Sequence, residues 1–401
     1  MSMSRTTMST RYEIVQKYAE QYKKVTKKKK GSILDTVCDT TGLSRDRAAR
    51  LLAAGGYQKT RIRSAKPIRA ETRGRKPKCG AGDLKALVEL WKYSDYACGK
   101  KLAAAIPAIM GALLRFGEVS WSEDVQKVLL EISASTIDRV LKPEKKRMGF
   151  KGLSTTRAGS MLKSQIPVRL GTEWADAKPG YVEVDLVAHC GNTTAGEYVN
   201  TLDVTDVTTT WTETRAVINK AQKHVFQALI WIRFFLPFDL RGLDSDNGSE
   251  FINAHLLRYC MKEELVFTRS RPYKKNDGCH VEQKNNTVVR RHIGYERYEG
   301  QEAVDLLNEF YALLRLHSNF FQPQTKLISS ERVDSHVKKT YEEYKSPYER
   351  VLASPDVPEE KKAELREVFE TLNPAELMRG MADVLQKLQA IAIPYQQAGG
   401  R

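Results

Sequence analysis

Three carboxylates in this chain have the types and spacing that metal-dependent phosphodiester chemistry requires. They are Asp185, Asp246 and Glu282, with 35 residues between the last two. Asp185 lies inside an apolar run, Tyr181-Val-Glu-Val-Asp-Leu-Val-Ala188. Asp246 closes a second run and enters a turn, Gly242-Leu-Asp-Ser-Asp-Asn-Gly248. Glu282 opens a stretch of helical character, His280-Val-Glu-Gln-Lys-Asn-Asn286. Hard divalent cations take oxygen ligands and keep positions open for water and phosphate, so three such acids suit a pair of Mg²⁺ (or Mn²⁺) ions. Gathered without a cation, the same acids repel and raise one another's pKa.

The elements that must deliver these acids follow from the pattern around them. On a strand over 181–188 the side chains alternate between faces. Val182, Val184, Leu186 and Ala188 form the expected core face, and Asp185 shares the other with Tyr181, Glu183 and Val187. Glu183 competes with Asp185 for the metal role, as Asp244 does with Asp246. Asp246 is preferred because Asn247-Gly248 turns the chain there and leaves its carboxylate at an open strand end. The segment from Arg269 to Gly278, with Lys274 and Lys275, reads as a basic loop that holds the scissile strand. Asn285 and Asn286 fall on the Glu282 face of the helix as contacts for phosphate or base, and Arg290 is a further DNA contact. His280 reads as a structural or DNA-facing residue, since carboxylates suffice for Mg²⁺.

Strands over 181–188, 197–206 and 211–218 precede a helix over 220–236. A strand over 239–244, a helix over 251–263, a strand over 265–269 and a helix over 280–293 follow. Three consecutive strands and then alternating elements predict an α/β mixed sheet covered by helices, over a catalytic core at 174–320. A basic segment at 1–30, with a short helix over 12–22, leads into a helix-turn-helix at 31–60. There Gly42 stops one helix, and Ser44 caps a second over 44–54 that carries Arg45, Arg47 and Arg50 toward the major groove. A basic linker at 61–82 contains Arg73-Gly-Arg75, which suits a narrow minor groove. A second helical DNA-binding domain is expected at 83–150, a linker at 151–173, and a mainly helical assembly region at 321–401. Leu377, Met381, Val384, Leu388 and Ile391 make a short heptad seam there, for a partner helix or for the chain's own core.

The net charge of +16 is unevenly spread. Residues 1–78 hold 21 Lys and Arg against 6 Asp and Glu, and the remainder holds 44 against 43. That asymmetry implies a polyanion-binding arm on a neutral body, with DNA as the polyanion. The six cysteines form no Cys-x-x-Cys pair, so neither a zinc knuckle nor a disulfide framework is indicated. The polar start and the short apolar runs predict a soluble, cytoplasmic, nucleoid-associated chain with no membrane partner and no small-molecule substrate.

Asp185, Ser245-Asp-Asn-Gly-Ser-Glu-Phe251 and Arg271-Pro-Tyr-Lys-Lys-Asn-Asp-Gly-Cys-His-Val-Glu282 resemble the integrase core of bacterial insertion-sequence transposases, which are related to retroviral integrases. The resemblance is best over about 174–320. Asn319-Phe-Phe-Gln-Pro-Gln-Thr-Lys-Leu327 and Ser346-Pro-Tyr-Glu-Arg350 also look like that group's C-terminal segment. It implies a ribonuclease-H-like fold and a DDE triad of Asp185, Asp246 and Glu282 with two Mg²⁺ or Mn²⁺ ions. It also implies cleavage at element ends, transfer of the freed 3′-OH into target DNA, and self-assembly on DNA. The position seven residues after the glutamate, Lys or Arg in many relatives, is Val289 here. The zinc-binding N-terminus of the retroviral enzymes is absent. Rival readings are a nuclease without joining activity, a non-catalytic DNA-binding regulator, and a tyrosine recombinase built on His255, Arg258 and Tyr295.

Overall fold

A computed structural model describes residues 8–56, 80–148, 178–245, 251, 254–269, 279–333 and 336–394. The chain divides into two compact units, residues 1–76 and 77–401.

In the first unit, α1 (Met8–Lys24), α2 (Lys27–Thr41) and α3 (Arg45–Ala54) bury Val15, Ala19, Val37, Ala48 and Leu52 in a small shared core. The helix expected over 12–22 is longer at both ends. Lys27 to Lys30, expected as a mobile basic segment, form the first turn of α2. Cations there oppose the helix dipole, and the N-cap Thr26 makes no side-chain cap bond. Packing of the apolar face therefore holds α2 together. Gly42 ends α2 with φ +66°, a left-handed conformation in which a glycine pays little, and its N–H donates to the Cys38 carbonyl. Ser44 occupies the N-cap position of α3 without a side-chain cap bond.

The second unit begins with α4 (Ala81–Tyr93), α5 (Gly99–Arg115), α6 (Glu123–Glu131), α7 (Ala134–Val140) and α8 (Lys142–Arg147). Next come β1 (Tyr181–Ala188), β2 (Asn200–Asp206), β3 (Thr212–Val217), α9 (Gln222–Arg233), β4 (Gly242–Ser245), α10 (Ala254–Lys262) and β5 (Val266–Arg269). A continuous helical stretch follows, made of α11 (Cys279–Lys284), a π-helical segment (Asn285–Arg290) and α12 (Arg291–Ile293). Then come α13 (Gly300–Phe321), β6 (Leu327–Val333), β7 (His336–Tyr341), α14 (Pro347–Ala353), α15 (Glu359–Thr371) and α16 (Pro374–Ile391).

The five-stranded sheet runs β3-β2-β1-β4-β5. β1, β2 and β3 pair antiparallel, and β4 and β5 add parallel to β1. Crossover helices flank a mixed sheet in this order, which is the ribonuclease-H-like arrangement. Val182, Val184, Leu202, Val204 and Leu243 pack under α9 and α10 in a core that also takes in α4 to α7. On the opposite face Val187 and Ala216 meet α13 and α16. The face expected to be open is thus covered as well, and Glu183 on it is only 1% exposed.

β3 is an edge strand, and α13 closes that edge. Asn319 Oδ1 accepts from Thr212 N at 3.0 Å, and Asn319 Nδ2 donates to Thr212 O at 2.9 Å. Asn308 does the same at Ala216, with bonds of 2.9 and 3.2 Å. Eleven helical residues advance about 16 Å and four strand residues about 13 Å, so the two carboxamides fall level with two outward-facing peptide groups. Among the helices, α13 was not expected from sequence; nor was the β6–β7 hairpin, where loops were expected. The 377–391 seam packs on α13, within the chain's own core.

Candidate active site

β1 organises the site. Its antiparallel register with β2 sets Asp185 opposite Asp203 and Glu183 opposite Thr205. Its parallel register with β4 runs from Tyr181 and Gly242 to Val184 and Ser245. The last pair immediately precedes Asp185 on one strand and Asp246 on the other. Asp246 lies outside the described residues, as do Lys274 and Lys275 of the basic loop and Arg73 and Arg75 of the linker. Glu282 sits in α11, beside the sheet, with its backbone alone described.

Asp185 is half-buried. One oxygen accepts from Leu186 N at 2.8 Å, and the other accepts from Asn285 Nδ2 at 2.5 Å. Asn285, expected against DNA, therefore touches Asp185. Its own Oδ1 is buried without a hydrogen-bond partner. Asn286 is exposed. Arg290, the other expected DNA contact on this helix, donates to Ala188 O at 2.8 Å and Gly294 O at 3.2 Å, and lies over the Tyr295 ring. The π-helical segment bonds i to i+5 and so inserts extra residues per turn just after Glu282. Val289 is fully buried.

The two competing acids have structural work. Glu183 Oε2 accepts the Val281 amide of α11 at 3.1 Å. Asp244, 1% exposed, accepts from Thr268 Oγ1 of β5 at 2.6 Å. Asp185 is left as the solvent-accessible acid among the described carboxylates of this face.

Sequence reasoning missed Asp203 and Lys284. Asp203 is fully buried; Thr205 Oγ1 donates to one oxygen at 3.2 Å, and the other oxygen has no hydrogen-bond partner. Burial drives its pKa upward, against the pull of the Lys284 charge. Burial drives the Lys284 ammonium downward, against the pull of Asp203. Burial thus presses each group toward its neutral form. Lys284 Nζ also donates to Thr210 O at 3.3 Å. The signal for Asp203 was present: Thr201, Asp203 and Thr205 alternate with apolar residues, which marks a polar strand face.

In the first unit Arg45, Arg47 and Arg50 are exposed on α3. Arg45 is ion-paired with Asp35 of α2, and Arg50 Nε donates to Asp46 O at 3.3 Å.

No protein-family model matches the chain. The uncharacterized protein y4rM of Sinorhizobium fredii (strain NBRC 101917 / NGR234) is 39% identical over 339 residues, which span 84% of this chain and 93% of that protein. The chain belongs to the family of y4rM. Among solved structures, the HTLV-2 integrase catalytic core domain in complex with magnesium is similar with a TM-score of 0.29 and 11% identity. The match spans 37% of this chain and 92% of that one. The BIV integrase catalytic core domain is similar with a TM-score of 0.25 and 14% identity, over 35% of this chain and 83% of that one.

Proposed function

We propose that this protein is a DNA transposase of the DDE type, which cleaves strands at the ends of its element and joins the freed 3′-OH to target DNA. The observation that carries the reading is the pairing of β1 with β4. It runs in step up to the residues just before Asp185 and Asp246, while the helix carrying Glu282 docks on the same strand. The donor set suits a divalent cation: Asp185 is accessible, and Asp203 brings a second carboxylate oxygen, buried and unpartnered, across from it in register. Asp185, Asp246 and Glu282 would hold Mg²⁺ or Mn²⁺. Two such ions supply Lewis acidity to the attacking and departing oxygens of a phosphodiester.

The chain's own residues do the rest. Asn285 fixes the Asp185 carboxylate through its amide N–H, so that carboxylate need not be oriented anew when phosphate arrives. The apolar layer of Val182, Val184 and Leu243 beneath the strand makes the floor rigid. Arg47 and Arg50 of α3, with Arg45, present cations for DNA phosphates and base edges. Arg73, Arg75, Lys274, Lys275, Asn286 and Arg290 remain proposed contacts along the DNA path. The working unit is an oligomer assembled on DNA, because two element ends must be joined.

The test is strand cleavage and joining on DNA that carries the sequences flanking the reading frame. With Mg²⁺ the wild type yields both products, EDTA abolishes them, and Asp185→Asn lowers the rate at least about 10³-fold while binding DNA normally. Cleavage without joining would establish the nuclease reading instead. A covalent adduct at Tyr295 that forms in EDTA would establish the recombinase.

A further inference from the structure

The helix that carries Glu282 meets the sheet through polar contacts made under cover. The Val281 amide donates to Glu183 at 3.1 Å, and Lys284 Nζ donates to Thr210 O at 3.3 Å. Val281 is the third residue of α11, where a helix amide has no carbonyl of its own helix to bond. A carboxylate supplied by another element satisfies that amide from 98 positions away in sequence. Glu183 is 1% exposed, and Val281 and Lys284 are also buried. A contact made in such a place tolerates little sliding, because any shift would strand a buried donor and a buried acceptor.

Glu183 and Asp185 lie two residues apart on one face of β1, about 7 Å along the strand. Val281 and Glu282 are adjacent on α11. The Glu183–Val281 bond therefore ties β1 to α11, two residues from Asp185 on the strand and one from Glu282 on the helix. We propose that Glu183 is a positioning residue: it sets the register of α11 on β1 and thereby the separation of Asp185 and Glu282. This rests on the proposed metal-dependent function. It also accounts for an acid that sequence alone could take for a metal ligand.

The experiment measures Mn²⁺ affinity of the full chain by electron paramagnetic resonance, with chemical-denaturation midpoints recorded in parallel. Glu183→Ala is expected to weaken Mn²⁺ binding about 10- to 100-fold, the range seen when partners behind metal ligands are removed. Glu183→Gln keeps an acceptor oxygen for the Val281 amide and is expected to restore affinity to within a few-fold. Val281→Pro removes the donor in the first helical turn, where proline is tolerated, and is expected to weaken binding like Glu183→Ala. The double variant Glu183→Ala/Val281→Pro is expected to bind no worse than either single one, since both break the same bond. Glu183→Gln binding as weakly as Glu183→Ala would make Glu183 a direct ligand and overturn the proposal. Wild-type affinity in folded Glu183→Ala or Val281→Pro would overturn it too, and if Glu183→Ala does not fold, Val281→Pro decides. A wild type that binds no Mn²⁺ at all refutes the metal-dependent function instead, which separates the two failures.

Discussion

His189 follows β1 and is fully buried, with Nε2 bonded to Thr201 Oγ1 at 2.8 Å and Nδ1 without a partner. Thr201 in turn meets the Tyr311 hydroxyl at 2.8 Å, so a polar chain links β1, β2 and α13 behind the acids. Burial, with the Arg290 charge adding to it, pushes the imidazole pKa down to about 3. A histidine whose folded pKa lies below its ordinary 6.5 contributes stability above pH 6.5, and that contribution is lost as pH falls toward 3. The unfolding free energy is therefore expected to drop by a few kcal/mol, of the order set by that shift, between about pH 6.5 and 3. His189→Gln should flatten most of this slope in urea denaturation at stepped pH. The buried His317 adds a slope of the same sign, and the buried Asp206, whose pKa burial raises to about 6, adds one of the opposite sign. At this scale the place of Asp185 on a strand was legible, because an acid in an apolar run stands out. The work of Glu183 was not, since its partner lies on another element. Asn285 was noticed as lying on the right helix face but was expected to point at DNA, because sequence alone cannot show that Asp185 comes within its reach.

Among the elements, the strands were the most readable. The bounds of the strand expected over 181–188 match β1 residue for residue, although burial does not alternate along it because both faces of the sheet are covered. α13 went unread, although Ala303, Leu307, Phe310, Tyr311 and Leu314 repeat at helical spacing and are buried. The β6–β7 hairpin lacks a clear apolar alternation; its Ser-Ser-Glu-Arg and Lys-Lys runs give no strand signal, and its strands pair only with each other. What α13 contributes is measurable. Removing the Asn319 carboxamide leaves the Thr212 N–H and C=O buried and unpaired, at a cost of about 1–3 kcal/mol. Asn319→Ala should lower the urea midpoint accordingly. It should also raise aggregation on refolding, because an uncovered edge strand is a template for pairing with another chain.

For the whole molecule, the division into residues 1–76 and 77–401 matches the division of charge, since most of the excess cations lie in the first unit. A chain of residues 77–401 should therefore keep the thermal unfolding of the sheet-containing unit. It should bind DNA more weakly, with a flatter dependence on salt concentration, because fewer phosphates are neutralised. The sequence expectation placed the helices of 83–150 between two linkers. In the structure they share a core with the sheet and bond to α13 and α16, the helices on its other side: His317 Nε2 lies 2.8 Å from Tyr93 O, Gln322 at the end of α13 donates to Ser94 O, and Arg379 pairs with Glu118. Residue spacing says which face of a helix is apolar but not which neighbour covers it. The 377–391 seam was open to a partner helix or to the chain's own core, and Met381, Val384, Leu388 and Ile391 pack with α13 in the core.

In the proposed function, three acids from distant parts of the chain gather around shared cations. Fe²⁺ substituted for Mg²⁺ and activated with ascorbate and peroxide cuts the peptide backbone beside the bound metal, and mass spectrometry locates the cuts. The account predicts cuts near residues 185, 246 and 282 in the wild type, competed away by Mg²⁺ and lost in Asp246→Asn. Cuts at one of these segments alone, or at none, would contradict it.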